Sequence, residues 1–313
     1  MSAKFYKIRK YDDSTEFSSL VEIYNQMARY LDPGALEYTE ELASLFLSST
    51  PNLSDKTLVF GNNQNEIIGF AIIFQVPQHK DTSMWSAVYG LIPEYLKTEL
   101  PGDLIEAILT LGIKLKVPEL YIDTIGELSA PFDDKLKILG FKPIHYYIFM
   151  SIDDLDLVPP PNIPPEIEIR NQEDIMDHKS VISVVNEGFK DSFMWKDAKP
   201  SAWKRRQESF KKSHIVEYSM AYDKEDLVGF IQSYFDPKKP NIGLMNTLTV
   251  LPNYRQRGIG SALFASGVKF LRDRGCKTID LMVDAKNEKA ARIYENFGFY
   301  WKKNKTIKTY NVI

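Results

Sequence analysis

At 313 residues the chain is too long for one ordinary domain, and 44% aliphatic and aromatic side chains support two packed cores and exclude a disordered polymer. Its 39 basic and 42 acidic side chains nearly balance, and a charge this weak, with no motif of the kind that stacks bases, argues against a nucleic-acid partner. The single cysteine, Cys276, excludes an internal disulfide, and with no leader segment and no apolar run of about 18 residues the chain reads as a soluble cytoplasmic protein without a membrane partner.

In chain order, the first landmarks are short and become informative only against later ones. Glu66–Phe70 reads Glu-Ile-Ile-Gly-Phe and is echoed by Asp-Leu-Val-Gly-Phe at Asp226–Phe230. Leu91–Tyr95 is echoed by Val250–Tyr254, and Leu139-Gly140-Phe141 by Phe297-Gly298-Phe299, at nearly constant offsets of 160, 159 and 158. Such a constant offset predicts an internal duplication. Between the copies, Val158–Pro165 holds five prolines, which favour an extended spacer. The expected organisation is therefore a domain over 1–157, a linker over 158–165 and a second domain over 166–313.

Charge divides along the same line. Residues 1–157 hold 13 basic and 23 acidic side chains, and the remainder holds 26 and 19. The basic half suits a polyanionic ligand; the acidic half suits docking, a cationic substrate or an ordinary solvated surface.

The segment 188–213 carries Phe189, Trp195, Trp203 and Phe210 among lysines and arginines. Phe189 and Phe210 read as packing residues, while Trp195 and Trp203 suit either packing or a pocket lining. An apolar strand then runs through Leu248-Thr249-Val250 into Arg255-Gln256-Arg257-Gly258-Ile259-Gly260, followed by a helix over 261–274 with Gly275 at its stop. Strand, basic turn with two glycines, then helix N-terminus is an arrangement that suits phosphate: glycines admit close backbone approach and first-turn amides point outward as donors. Ile279, Leu281 and Val283 alternate with polar neighbours as a strand, and a helix from Asn287 to Phe297 places Asn287 and Tyr294 on nearly one face.

These two motifs resemble those of the GNAT superfamily of N-acetyltransferases. The pattern Arg/Gln-x-x-Gly-x-Gly/Ala is filled by Arg255, Gly258 and Gly260, and Asn-x-x-Ala-x-x-x-Tyr-x-x-x-Gly-Phe by Asn287, Ala290, Tyr294, Gly298 and Phe299. The resemblance is strong over 215–313 and extends from about 166, and with the duplication it implies an α/β mixed-sheet fold of two tandem GNAT-like domains. It further implies acetyl-CoA as co-substrate, with the amides of Arg257, Gly258, Ile259, Gly260 and Ser261 on its pyrophosphate, beside Arg255 and Gln256. Backbone groups of Leu248, Thr249 and Val250 would pair with the pantetheine arm, and Asn287 would hydrogen-bond nearby. Tyr294 would be the general acid for the departing thiolate, a role its ordinary pKa of roughly 10 suits. The implied reaction is direct attack by an amine, with the oxyanion held by the Val250 amide.

The sequence departs from the family where many members carry a Glu: the strand over 243–250 has no carboxylate. Glu217, Asp191, His214, a water held by Asn246 and the terminal carboxylate of Ile313 all remain open as the base. In the first copy, Leu96–Pro101 stands against the loop at an offset of 159, with Glu99 for Gly258 and Pro101 for Gly260; at 158, Gly102 matches Gly260 but Leu100 replaces Gly258, and Leu136 replaces Tyr294. That copy reads as a scaffold or as a site rebuilt for another ligand. The four histidines, His79, His145, His178 and His214, lie far apart, so no metal is expected. Three rival readings stand: a non-catalytic CoA-binding protein, a transferase of longer acyl groups, and a nucleotide-binding Rossmann protein. Against the last, Leu263 replaces the third loop glycine. The acceptor is a small-molecule or peptide amine, and monomer and homodimer are both open.

Overall fold

A computed structural model describes the whole chain except residues 1–4, 13–14, 33–34, 36, 49, 77–83, 127–128 and 196, and describes 303 and 304 by backbone alone. Two compact units emerge, one of Met1–Tyr146 with Asn304–Ile313 and one of Tyr147–Lys303.

In the first unit, β1 (Tyr6–Lys10), β2 (Thr57–Asn62), β3 (Ile67–Gln75) and β4 (Met84–Leu91) form successive antiparallel pairs, and β5 (Glu119–Ile125) joins β4 in parallel. Helices α1 (Phe17–Leu31) and α2 (Glu40–Leu47) precede the β2–β3 hairpin; α3 (Leu100–Lys114) makes the crossover from β4 to β5, and α4 (Ala130–Ile138) follows. The second unit repeats the order with β7 (Ile167–Gln172), α5 (His178–Phe189), α6 (Pro200–Lys211), β8 (Ile215–Asp223), β9 (Asp226–Phe235), β10 (Ile242–Val250), α7 (Ile259–Asp273), β11 (Thr278–Asp284) and α8 (Glu288–Asn296). Leu100 and Ile259 begin α3 and α7, and Glu119 and Thr278 begin β5 and β11, both 159 residues apart. The duplication inferred from short echoes is thus a duplication of whole elements.

The break between units falls elsewhere than the proline run. Strand β6 (Pro143–Ile152) gives Tyr147–Ile152 to the second unit, antiparallel to β11, and β12 (Tyr300–Asn311) gives Ile307–Asn311 to the first, antiparallel to β5. Each unit is completed by strand residues from the other half of the sequence. The prolines follow this crossing: Leu155 and Val158 are buried in the second core, and the Ile167 N–H bonds back to the Pro164 carbonyl. Hydrophobic burial, worth about 1.5–3 kcal/mol for each fully buried large aliphatic side chain, fixes the start of that segment more firmly than proline stiffness frees it.

In the second unit α7 packs on β8, β9 and β10, with Leu263, Phe264, Val268 and Leu271 buried. Gly267 lets the helix lie close: a Cβ there would fall 2.3 Å from Ser233 Oγ and 2.7 Å from Met245 Cε. Val181, Val185, Trp203, Tyr218 and Phe230 are buried as well, on α5, α6, β8 and β9. Among the described residues no helix is long and apolar enough to cross a membrane.

Candidate active site

The site begins where two neighbouring strands part. β10 pairs with β11 only from Ile242/Thr278 to Met245/Leu281, whereas its pairing with β9 continues to Val250/Gly229. Beyond Met245 the β11-facing edge of β10 is therefore left open. The local cause is a register shift between Asn246 and Thr249, centred on Thr247, whose φ of +57° is strained for a β-branched residue. Asn246 Oδ1 accepts from the Thr247 N–H at 2.8 Å and steadies the distortion. Leu248, Thr249 and Val250, expected to meet the pantetheine arm, lie along this open stretch.

Past β10 the basic turn is pinned by its own arginine. Arg255 Nε donates to the Val250 carbonyl at 3.0 Å, and its guanidinium donates to the Gly188 carbonyl at 2.9 Å. The Val250 carbonyl thus already accepts one side-chain hydrogen bond. Gly188, at the end of α5, was not singled out from the sequence; a Cβ there would overlap Thr249 Oγ1 at 1.6 Å, so only glycine lets α5 press onto β10. Arg257 donates to the Asn253 carbonyl at 3.0 Å and lies 5.0 Å over the Tyr254 ring. Both arginines and Gln256 stay exposed, so their charge remains at the turn although part of their hydrogen bonding is internal.

Gly258 is the N-cap of α7 with φ +83°, a left-handed conformation that requires glycine. The helix starts at Ile259, two residues earlier than its sequence pattern suggests. No side chain caps it and no acidic residue stands in its first turn. The first-turn amides of Ile259, Gly260 and Ser261 therefore present donors with the positive end of the helix dipole behind them. A Cβ on Gly260 would meet only Val250 Cγ2, at 3.7 Å, so the packing does not itself demand glycine there.

Asn287 is the N-cap of α8, its Oδ1 accepting from the Ala290 N–H at 3.2 Å. That structural duty leaves its amide NH2 for a ligand. Two turns on, Tyr294 is 9% exposed and its ring packs 5.1 Å from Phe264 of α7. Burial pushes its pKa up to about 12, so the phenol holds its proton at neutral pH.

The candidate bases separate by placement. Glu217 is no solvated connector: it sits in β8 opposite Ser233, and its Oε1 is buried without a partner. Burial pushes it up to about 7, with Arg274 and Lys269 pulling the other way. Those lysine and arginine neighbours place it near the C-terminal end of α7, far from the turn at Gly258. His214 is also buried rather than solvated, stacked 4.1 Å from Phe210, with Nδ1 within 2.9 Å of Ser213 Oγ, and burial lowers its pKa. Asp191 is exposed beyond α5, and Ile313 belongs to the first unit, packed by Gly112.

Asn246 remains at the strand distortion, beside a pocket of about 40 Å³ lined by Trp203, Arg206, Gln207, Phe210, Gln232 and Thr247. Gln207 Oε1 accepts from Tyr218 Oη at 2.9 Å and from Gln232 Nε2 at 3.0 Å. Neither glutamine was foreseen, although Gln207 lies one turn after Trp203 on the same helix face. Trp203 joins the pocket wall, while Trp195 stacks on Phe189 at 5.0 Å. Cys276 is buried and its thiol is pushed up to about 11, a packing residue rather than a nucleophile. Among the described residues no group of three or more metal-binding side chains occurs; His79 lies outside them.

Residues 182–299 match the family model described as the acetyltransferase (GNAT) family. The mycothiol acetyltransferase of Rhodococcus jostii is 29% identical over 143 residues, 44% of this chain and 47% of the relative. The chain thus spans about half or less of the length of the curated relatives it matches. Among solved structures, a tandem GNAT protein from the clavulanic acid biosynthesis pathway superposes with TM-score 0.72 at 12% identity, covering 98% of both chains. A GCN5-related N-acetyltransferase from Sphaerobacter thermophilus gives 0.69 at 15% identity, covering 98% of this chain and 95% of that one. With the strand gap, the uncapped helix end and the Asn287–Tyr294 helix, these matches show that the chain carries a GNAT-family domain over residues 182–299, within a tandem GNAT fold.

Proposed function

We propose that the second unit transfers acetyl from acetyl-CoA to a primary amine. The observation that carries this reading is the conjunction at one end of β10: an open strand edge, then an uncapped helix N-terminus flanked by Arg255 and Arg257. The residues fit the co-substrate. Amides of Ile259, Gly260 and Ser261 would hold its pyrophosphate, and Leu248 and Thr249 would pair with its pantetheine amides. Bound there, acetyl-CoA supplies an activated thioester. The amine nitrogen forms the new amide bond as the C–S bond breaks, and the Tyr294 hydroxyl gives its proton to the departing sulfur. The amine's own proton leaves by water in the polar pocket beside Asn246 and Gln232, whose volume is enough for one or two molecules.

The acceptor is proposed only as a primary amine of a small molecule or peptide. The names of the curated relatives make the amine precursor of mycothiol the first compound to try. The test is calorimetric titration of the intact chain with acetyl-CoA and a longer acyl-CoA, followed by an amine panel monitored by free-thiol release. One tight site for acetyl-CoA and turnover with at least one amine support the reading. Binding without turnover across the panel would favour a non-catalytic CoA-binding role, and a marked preference for the longer thioester would reassign the acyl group.

A further inference from the structure

The first unit holds a cavity of about 350 Å³ between α1, α2 and the β3–β4–β5 surface. That volume lies at the lower end of the range for small-molecule sites, roughly 300–1,000 Å³. Its walls are overwhelmingly apolar and rich in rings, among them Tyr24, Phe46, Phe74, Tyr89 and Phe132. Among the described residues lining it, Asp123 is the only charged side chain, and no lysine, arginine or histidine joins it.

Asp123 has an unusual setting. Its side chain is exposed and lines the cavity, so the carboxyl is open to an occupant. One oxygen accepts from Thr309 Oγ1 at 2.7 Å, and the Tyr89 hydroxyl is engaged by the Asp123 main-chain carbonyl, also at 2.7 Å. Among the described residues no basic side chain is paired with it. The contrast lies one helix away: Asp133, equally within this unit, is held by both Lys137 and Lys308. A carboxylate in apolar surroundings without a counter-charge is costly, and burial accordingly raises the Asp123 pKa. At the equivalent register of the second unit, 159 residues on, stands Met282, which is half exposed. The acid belongs to the first copy alone and is no remnant of CoA chemistry, for which an acidic, arginine-free cavity is unsuited.

An occupant must bring positive charge on a small head and an apolar body that fills a ring-lined space. Aromatic faces attract organic cations, and the attraction strengthens when water is excluded. We propose that the first unit is a binding site for a compact organic ammonium ion with an aromatic or aliphatic body, its head paired with Asp123. The site is independent of the transfer reaction assigned to the second unit.

The test uses the intact chain and phenethylammonium, with phenethyl alcohol as neutral isostere and phenylacetate as anion. Calorimetry is expected to show one phenethylammonium per chain, undisplaced by saturating acetyl-CoA, with the alcohol about tenfold weaker or worse and the anion not binding. Asp123→Asn should weaken the ammonium by at least about tenfold and leave the alcohol unchanged. Should that variant fail to fold, hydrogen exchange on the unaltered chain decides: the ammonium should protect α1 and β5. Equal binding of alcohol and ammonium, protection confined to the second unit, or no binding of the ammonium at millimolar concentration each overturns the proposal.

Discussion

The N-termini of α3 and α7 occupy the same place in two copies of one strand–helix–strand unit, and their chemistry is opposite. At α7 a left-handed Gly258 turns the chain, the first-turn amides lack a side-chain cap, and two arginines flank them. At α3 the cap residue is Glu99, Pro101 removes an amide, and Asp103 stands in the first turn, accepting from the Tyr6 hydroxyl. Leu100, at the start of that helix, is fully buried and adds to the core. Further along, Tyr294 is answered by Leu136, also fully buried. The helix faces that pack on the sheet are kept in both copies, because their loss would expose apolar surface. Turn residues bear little of that burden, so the two copies differ there in charge, amide donors and packing without differing in architecture.

The sharpest way to break the comparison is to give the second copy the first one's charge. Gly258→Glu combines strain at φ +83° with a carboxylate at the proposed pyrophosphate site, and acetyl-CoA binding by calorimetry should fall at least about a hundredfold. Retained affinity would mean that the turn does not hold the pyrophosphate. Next is Tyr294→Phe, which keeps the ring against Phe264 and removes the proton. The expected outcome is a kcat lower by on the order of a hundredfold with the KM for acetyl-CoA little changed. A rise in KM alone would instead give Tyr294 a binding role.

The first copy has its own network to test. Asp133 is 2% exposed and accepts from Tyr310, Lys308 and Lys137, which together hold its carboxyl down at about 2 despite burial. Asp133→Ala should cost about 3 kcal/mol in urea unfolding by stranding Lys308 and the Tyr310 hydroxyl. Because the folded pKa lies below the ordinary 3.8, this contribution is present above that pH and is lost as pH falls towards 2. The smallest effect is expected at Glu217, whose shift has the opposite sign. Its carboxyl rises to about 7 from an ordinary 4.5, so folding favours the neutral form, and stability declines as pH climbs through that interval. Glu217→Gln should flatten the slope of unfolding midpoint against pH between 5 and 7 and leave activity intact; a rate loss would return Glu217 to the list of bases.

Much of the second unit was legible before any coordinates. The Gly-x-Gly turn and the Asn–Tyr helix are local patterns, and the offsets near 159 announced the repeat because packing faces recur with the elements that carry them. What escaped was whatever depends on residues far apart in sequence. Gly188 matters only because Thr249 lies against it, and Gln207 only because Tyr218 and Gln232 point at it. The bonds by which Arg255 ties the turn to the carbonyls of Val250 and Gly188 are of the same kind.

Sequence alone determined the duplication and the turn whose glycines and charges suit phosphate, since each follows from recurring short motifs or from conformations few residues adopt, and the resemblance of two motifs to GNAT proteins implied the α/β mixed sheet. Tertiary structure decided where the units divide, because the strand residues that complete each unit come from the other half of the chain. It also decided the state of an ionisable group: Glu217 is an ordinary carboxylate in the sequence, and only the protein packed around it removes the water that would keep it so.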